Sequence, residues 1–224
     1  DSPPLASFLH RTATLGQWRE FVVHRSVYQL KEADPHTWAI PRLTGLAKAA
    51  LVEIQTDEYG NGRPERMHSA LFATSMRELD LDDTYGAHVD LVPAVTLATS
   101  VVATYFGLHR RWRGAIAGHL AALEMTSSLP MRRYGNGLRR LGLGPAATRF
   151  FDEHVEADAV HEQVAAHDLC GALAAAEPAL AGDIVFGAAV CLALDARQAR
   201  HMIGRWDEGL SSLRAPVDPV AASA

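Results

Sequence analysis

The sequence predicts an all-α fold, on three observations. Apolar residues recur every three to four positions through nearly every long segment of the 224-residue chain. The alternation expected of half-buried strands is scarce. The segments are separated by Gly, Pro and Asn clusters of the kind that stop helices.

The elements follow in order. Gln17 to Leu30 sets Trp18, Phe21, Val22, Val27 and Leu30 on one broad apolar face. Asp34-Pro35 reads as an N-cap with proline at the first helical position. Pro41 interrupts, and Leu43 to Glu58 is a second helix rich in Ala, Leu and Val. Gly60-Asn61-Gly62-Arg63-Pro64 is a strong break. Glu65 to Leu79 is a third helix with Met67, Leu71, Phe72 and Met76 on its apolar side, and Asp80 to His88 is a polar connection. Val92 to Phe106 is apolar enough to predict a buried central helix. His109 to Thr126 follows, ended by Pro130, with a shorter helix reaching Arg140. After a break at Gly142 to Gly144, Pro145 to Leu173 is the longest expected helix, and Ile184 to Trp206 the last. Residues 1–213 are expected to form one domain of about seven helices or more. Arg214 to Ala224, rich in Ala and Pro, is expected to be a disordered tail.

A net charge of -5 argues against a nucleic-acid partner. Cys170 and Cys191 sit in Ala/Leu-rich context and read as buried thiols, and so few cysteines fit a reducing cytoplasm. No uncharged apolar run of membrane-spanning length and no signal peptide is visible, so no membrane partner is expected. The chain begins at Asp1, and residues are expected to have been removed upstream.

The chemistry concentrates in FFDEHVEADAVHEQ, where His154, Asp158 and His161 are spaced by four and three residues. On a helix these offsets bring side chains within about 60° of one another. Two imidazoles and a carboxylate on one stripe suit Fe, Mn or Zn. One helix supplies too few ligands for two metals, so acids and histidines misplaced in apolar helices become informative. Glu124 shares its face with Ala117, Leu120 and Ala121, where a carboxylate must be paired or hold a cation. His68 lies among Met67, Leu71 and Phe72, one turn into the third helix, and Glu58 closes the second. The glycine break between them lets successive helices aim both at one place. Glu32 ends the first helix and is a further candidate. The four carboxylates Glu32, Glu58, Glu124 and Asp158 balance two divalent ions, whereas without cations such a cluster repels itself. Taken singly, each also reads as an ordinary core histidine or solvated acid.

His161-Glu162 followed by His167 is not the zinc-protease H-E-x-x-H, because the second histidine comes two residues late. Neither Gly60-Asn61-Gly62 nor Gly142-Leu143-Gly144 continues as a phosphate loop. His109-Arg110-Arg111-Trp112-Arg113 reads as the cap of a helix junction. Trp38, Tyr59, Phe72, Phe106 and Arg133 are candidate pocket walls, though each reads first as core or surface.

The ordered set Glu58, His68, Glu124 and His154-x3-Asp158-x2-His161 resembles the haem-oxygenase-like diiron oxidases and oxygenases. The text around it, DEYGNGRPERMHSALF, GHLAALEMTSSLP and HVEADAVHEQ, looks like that family's iron-containing redox enzymes. It is unlike the ferritin pattern, since Glu65-x-x-His68 has no second copy. Glu32 in LKEADPHTW matches an additional carboxylate of N-oxygenating members such as the central domain of nitrosourea synthases. The resemblance implies a seven-helix bundle with two irons held by Glu32, Glu58, His68, Glu124, His154, Asp158 and His161. It implies O2 as co-substrate through a peroxo-diferric species, an external electron donor, a small nitrogen-containing substrate and N-oxygenation of it. Homodimers are common for such folds, and no exposed apolar stripe can be assigned here. Three alternatives stay open: an oxidase of the same fold that desaturates or cleaves an amino acid or fatty acid; a metal-free scaffold binding haem or a thiamine-like ligand, with His10 or His24 as surface candidates for an axial ligand; and a mononuclear zinc on His154, Asp158 and His161.

Overall fold

The computed structural model describes residues 3–216, the side chain of Asp158 excepted. All regular structure among these residues is helical: α1 (Leu5–Arg11), α2 (Leu15–Gln29), α3 (Asp34–Thr37), α4 (Gly45–Glu58), α5 (His68–Arg77), α6 (Ala94–Leu108), α7 (Arg113–Arg140), α8 (Pro145–Gln163), a π-helical segment (Val164–Gly171), α9 (Ala172–Ala176) and α10 (Ala181–Asp207), with single 3-10 turns between. The sequence sets several boundaries directly. Thr14 and Gln17 form a capping box at the start of α2. Pro145 occupies the first turn of α8. The Arg110–Trp112 turn joins α6 to α7, with Arg111 stacked on Trp112 and paired with Asp183.

The apolar faces meet in two clusters. One gathers Trp18, Phe21, Phe72, Phe150 and Phe151 between α2, α5 and α8. The other gathers Leu51, Ile54, Phe106, Ile116 and Leu169 between α4, α6, α7 and the π segment. His154 and His161 fall on the stretch of α8 between Phe151 of the first cluster and Ala165 of the second. The long helices α7 and α10 approach until their backbones touch. A Cβ on Gly118 would lie 1.9 Å from the Ile184 carbonyl oxygen, and one on Gly187 would lie 1.9 Å from that of Ala115.

Four expectations are corrected. Pro130 does not end its helix: α7 runs through it for 28 residues. Proline removes the N–H that would meet the Thr126 carbonyl, but α7 is held by α8, α10 and α1 along its length. The segment after Pro145 is α-helical only to Gln163 and then widens into π turns. α5 begins at His68, since Met67 is extended at φ -57, ψ 136. Finally, α6 is not buried all round: Val101, Tyr105 and Leu108 are exposed, as are Val185, Phe186 and Leu192 of α10. The stretch Pro178–Asp207 is long and apolar enough to cross a membrane by length and composition alone. Asp183 within it pairs with Arg111, and one side of α10 packs on α7.

Of the expected tail, residues 217–224 lie outside the described residues, and the Arg214 N–H donates to the Leu91 carbonyl at 2.8 Å. Both cysteines are free thiols; Cys191 is buried and Cys170 half-buried.

Candidate metal centre

Two chain breaks and two long helices bring the acids and imidazoles together. α2 unwinds through Leu30, so Glu32 sits in a turn just past its end. Beyond α4, Gly60, Asn61 and Gly62 all have positive φ (65, 55 and 75°). That left-handed run turns the chain back on itself, at a cost that glycine minimises. A Cβ on Gly60 would stand 2.6 Å from the Arg66 carbonyl carbon and the Met67 nitrogen, so only glycine lets the returning strand of chain pass. His68, first residue of α5, thereby reaches Glu58, last residue of α4, with Nδ1 2.8 Å from Oε2. Glu124 enters from α7, and His154 and His161 from α8.

The side chains form two groups that share one residue. Glu32, Glu58, His68 and His154 each offer an atom to one; Glu58, Glu124 and His161 to the other. Within each group the donor atoms lie within 4.8 Å of one another. His154 Nε2 is 3.6 Å from Glu32 Oε1. His161 Nδ1 is 3.4 Å from Glu124 Oε2 and 3.9 Å from Glu58 Oε1. Asp158 lies on α8 between the two histidines, but its side chain is outside the described residues.

The ring orientations are fixed from behind. His154 Nδ1 lies 2.8 Å from the Phe150 carbonyl, so that nitrogen carries the proton and Nε2 presents a lone pair. His161 Nε2 lies 3.1 Å from Asp57 Oδ2, turning Nδ1 inward. Gln29 Nε2 donates to Glu32 Oε1 at 2.9 Å. Carboxylate or carbonyl support behind a histidine is the usual arrangement around metal-binding imidazoles.

The test of fit is what the inward atoms find. Among the described residues, Glu32 Oε2, Glu58 Oε2, His68 Nδ1 and His161 Nδ1 are buried without a hydrogen-bond partner. The 2.8 Å approach of His68 to Glu58 is close enough for a hydrogen bond but misaligned, and misalignment weakens such a bond steeply. Four orphaned donor atoms in one buried place are costly unless a cation meets them. The electrostatics agree. Burial pushes the Glu58 carboxyl up, but His68, His154 and His161 outweigh this and hold it below the usual range. Burial pushes His68 and His161 down, yet Glu58 raises the first, and Glu124 with Glu58 and Asp57 raises the second to about 9. Without a metal, protons on His68 and His161 offset carboxylate charge. N/O donor sets of this kind suit iron, manganese or zinc.

The sequence profile of iron-containing redox enzymes matches residues 19–196. The chain belongs to this family. It is an oxidoreductase with a haem-oxygenase-like helical fold, and its buried Glu/His groups are suited to iron. No curated protein matches the chain.

A cavity opens on the first group, lined by Arg25, Tyr28, Gln29, Leu123, Met131 and the candidate ligands Glu32, Glu58, Glu124 and His154. None of the five aromatic or basic residues expected as walls lines it. Trp38 and Arg133 are exposed, Phe72 and Phe106 fill the apolar clusters, and the Tyr59 hydroxyl donates to Asp34. Sequence reasoning missed Asp57, Gln29 and a buried pair on the cavity side, His36 and His119, whose Nε2 and Nδ1 lie 3.1 Å apart. The only available signal was position: Asp57 adjoins Glu58, and Gln29 is one turn from Glu32. His24, expected at the surface, is buried with Thr96 Oγ1 and Ser212 Oγ on its two ring nitrogens, leaving none for a haem iron.

Proposed function

We propose that this iron-containing redox enzyme is a non-haem diiron oxygenase that uses O2 to oxidise a nitrogen of a small amine, guanidine or aminoheterocycle. The observation that carries the reading is the sharing of Glu58 between two donor groups, in which Glu32 Oε2, Glu58 Oε2, His68 Nδ1 and His161 Nδ1 have no hydrogen-bond partner among the described residues. A single zinc on one α8 stripe is disfavoured, because His154 and His161 belong to different groups. Glu32 beside His154 supports the N-oxygenating branch, because the extra carboxylate joins the first donor group.

Two irons held there would supply electrons to O2 and the oxidising equivalent for the substrate. The chain's residues do the rest. Glu58 spans the groups and fixes their separation. Asp57 and the Phe150 carbonyl lock the ring faces of His161 and His154. Leu120, Leu123 and Met131 exclude water beside Glu124. An external electron donor completes the turnover.

The test is an anaerobic Fe(II) titration followed by rapid mixing with O2, visible absorbance and product analysis with candidate amines. Two irons per chain, a coloured transient whose decay an amine accelerates, and an oxidised nitrogen product are expected. One iron per chain, or no transient, overturns the diiron reading. A transient that yields an alkene or a cleaved carbon chain overturns N-oxygenation while keeping the centre.

A further inference from the structure

A second hollow adjoins the cavity over the candidate metal centre, sharing Arg25, Tyr28 and Leu123 as walls and adding Asp195 and Gln198 of α10. Arg25, Tyr28, Gln29 and Glu32 are spaced by three, one and three residues, so α2 and the turn after it show one polar stripe to this space. The stripe starts at a guanidinium and ends at a candidate ligand. Seven residues at helical rise span roughly 10 Å.

Arg25 is the positive charge of this passage. Its side chain is 25% exposed, and its ion-pair partner Asp195, 59% exposed, stands 3.6 Å away, beyond hydrogen-bond length. The guanidinium is thus held near the entrance, its N–H donors not committed to Asp195. In the second hollow, the polar groups beside Arg25 and Asp195 include neutral Tyr28 and Gln198, and His24 and His119, which burial holds at about 4; the carboxylates Glu32, Glu58 and Glu124 line the metal-side cavity. A planar fork of N–H donors on a partly dry wall matches a carboxylate.

We infer that Arg25 is the binding site for the carboxylate end of the substrate, so the substrate is a small carboxylic acid whose other end reaches the Glu32/Glu58/His154 side of the cavity. This rests on the proposed oxygenase reading for what happens at the far end, but not for the binding itself. Asp195 competes with the ligand for Arg25.

Hexanoate, 6-aminohexanoate and hexylamine serve as probes, titrated calorimetrically into the metal-free chain and into the anaerobic Fe(II)-loaded chain. The two acids are expected to bind at least about tenfold more tightly than hexylamine in both forms. Arg25→Met should remove that preference and Arg25→Lys keep part of it. Asp195→Asn should tighten hexanoate severalfold, a gain that misfolding does not produce. Equal binding of hexanoate and hexylamine, unchanged hexanoate binding by Arg25→Met, or no gain in Asp195→Asn each overturns the inference. Hexanoate that binds only the iron-loaded chain, indifferent to Arg25→Met, overturns it too while leaving the metal reading standing. Arg25-dependent binding by a chain that takes up no iron supports the anion site and removes the diiron reading instead.

Discussion

Because Glu58 belongs to both donor groups while Glu32 and Glu124 belong to one each, three isosteric substitutions should separate. Glu58→Gln is expected to abolish binding at both positions, and Glu32→Gln and Glu124→Gln to leave one iron each. A ligand that binds only the folded state at 100 times its Kd stabilises by about 2.7 kcal/mol, so two sites give about 5.4 kcal/mol. For a chain of this size each kcal/mol moves Tm by roughly 2–4 °C, so iron should raise the wild-type Tm by roughly 11–22 °C. Glu124→Gln and Glu32→Gln should keep about half that rise and Glu58→Gln almost none. The assay is anaerobic thermal unfolding at fixed pH and fixed excess Fe(II), with metal content measured on the same samples. Should Glu58→Gln retain as much iron and as large a Tm rise as Glu124→Gln, the shared-ligand geometry is wrong.

Four other perturbations have defined outcomes. His24 and His119 are held at about 4 by burial, so they stay neutral in the fold while the unfolded chain protonates near 6.5. Stability they confer is whole above pH 6.5 and is lost as pH falls toward 4, up to roughly 3 kcal/mol each. His161, raised to about 9, runs the other way: its contribution is whole below pH 6.5 and is lost as pH rises from there through 9. Urea midpoints of the metal-free chain from pH 7 to 4.5 check this, and a flat profile, or one unchanged by His24→Asn, counts against it. Gly60→Ala, forced to positive φ against the Met67 backbone, should destabilise by about 1–3 kcal/mol and lower iron uptake by moving His68; wild-type iron stoichiometry in this variant would refute the hinge role. Hydrogen exchange across residues 60–80 should slow on iron loading, because Glu58 and His68 then have a reason to stay together; equal protection with and without iron rules this out. Asp57→Asn should weaken iron at the Glu124/His161 group by about 10–100-fold by loosening the His161 ring, measured by competitive chelation; an unchanged affinity contradicts the orienting role.

Helix periodicity and proline or glycine punctuation made the all-α fold readable, because both act within a few residues. Glu58, His68, Glu124, His154 and His161 stood out because a polar group on an apolar helix face needs a reason, and the structure brings these five and Glu32 into two touching groups. What sequence could not give depends on distant packing. Pro130 reads as a stop, yet α7, packed on α8, α10 and α1, continues through it. α6 reads as buried all round, yet the fold leaves one side of it uncovered. The π turns after Gln163 and the pairing of His36 with His119 carry no local signature, since each depends on which helix lies opposite.

The glycine contact between α7 and α10 has a consequence for how the cavity can vary. Glu124 follows Gly118 by under two turns, and Leu194 and Asp195 follow Gly187 by about two, so the metal-side wall and the entrance wall belong to one fused pair of helices. With carbonyl oxygens seated where side chains would be, neither helix can slide or tilt without collision, and the width of the chamber is set by backbone. A relative with a longer or bulkier substrate therefore has to make room by trimming side chains such as Leu123 or Leu194, or by shifting the opposite wall on α2. The α7–α10 pair is a fixed gauge against which α2 selects length and charge.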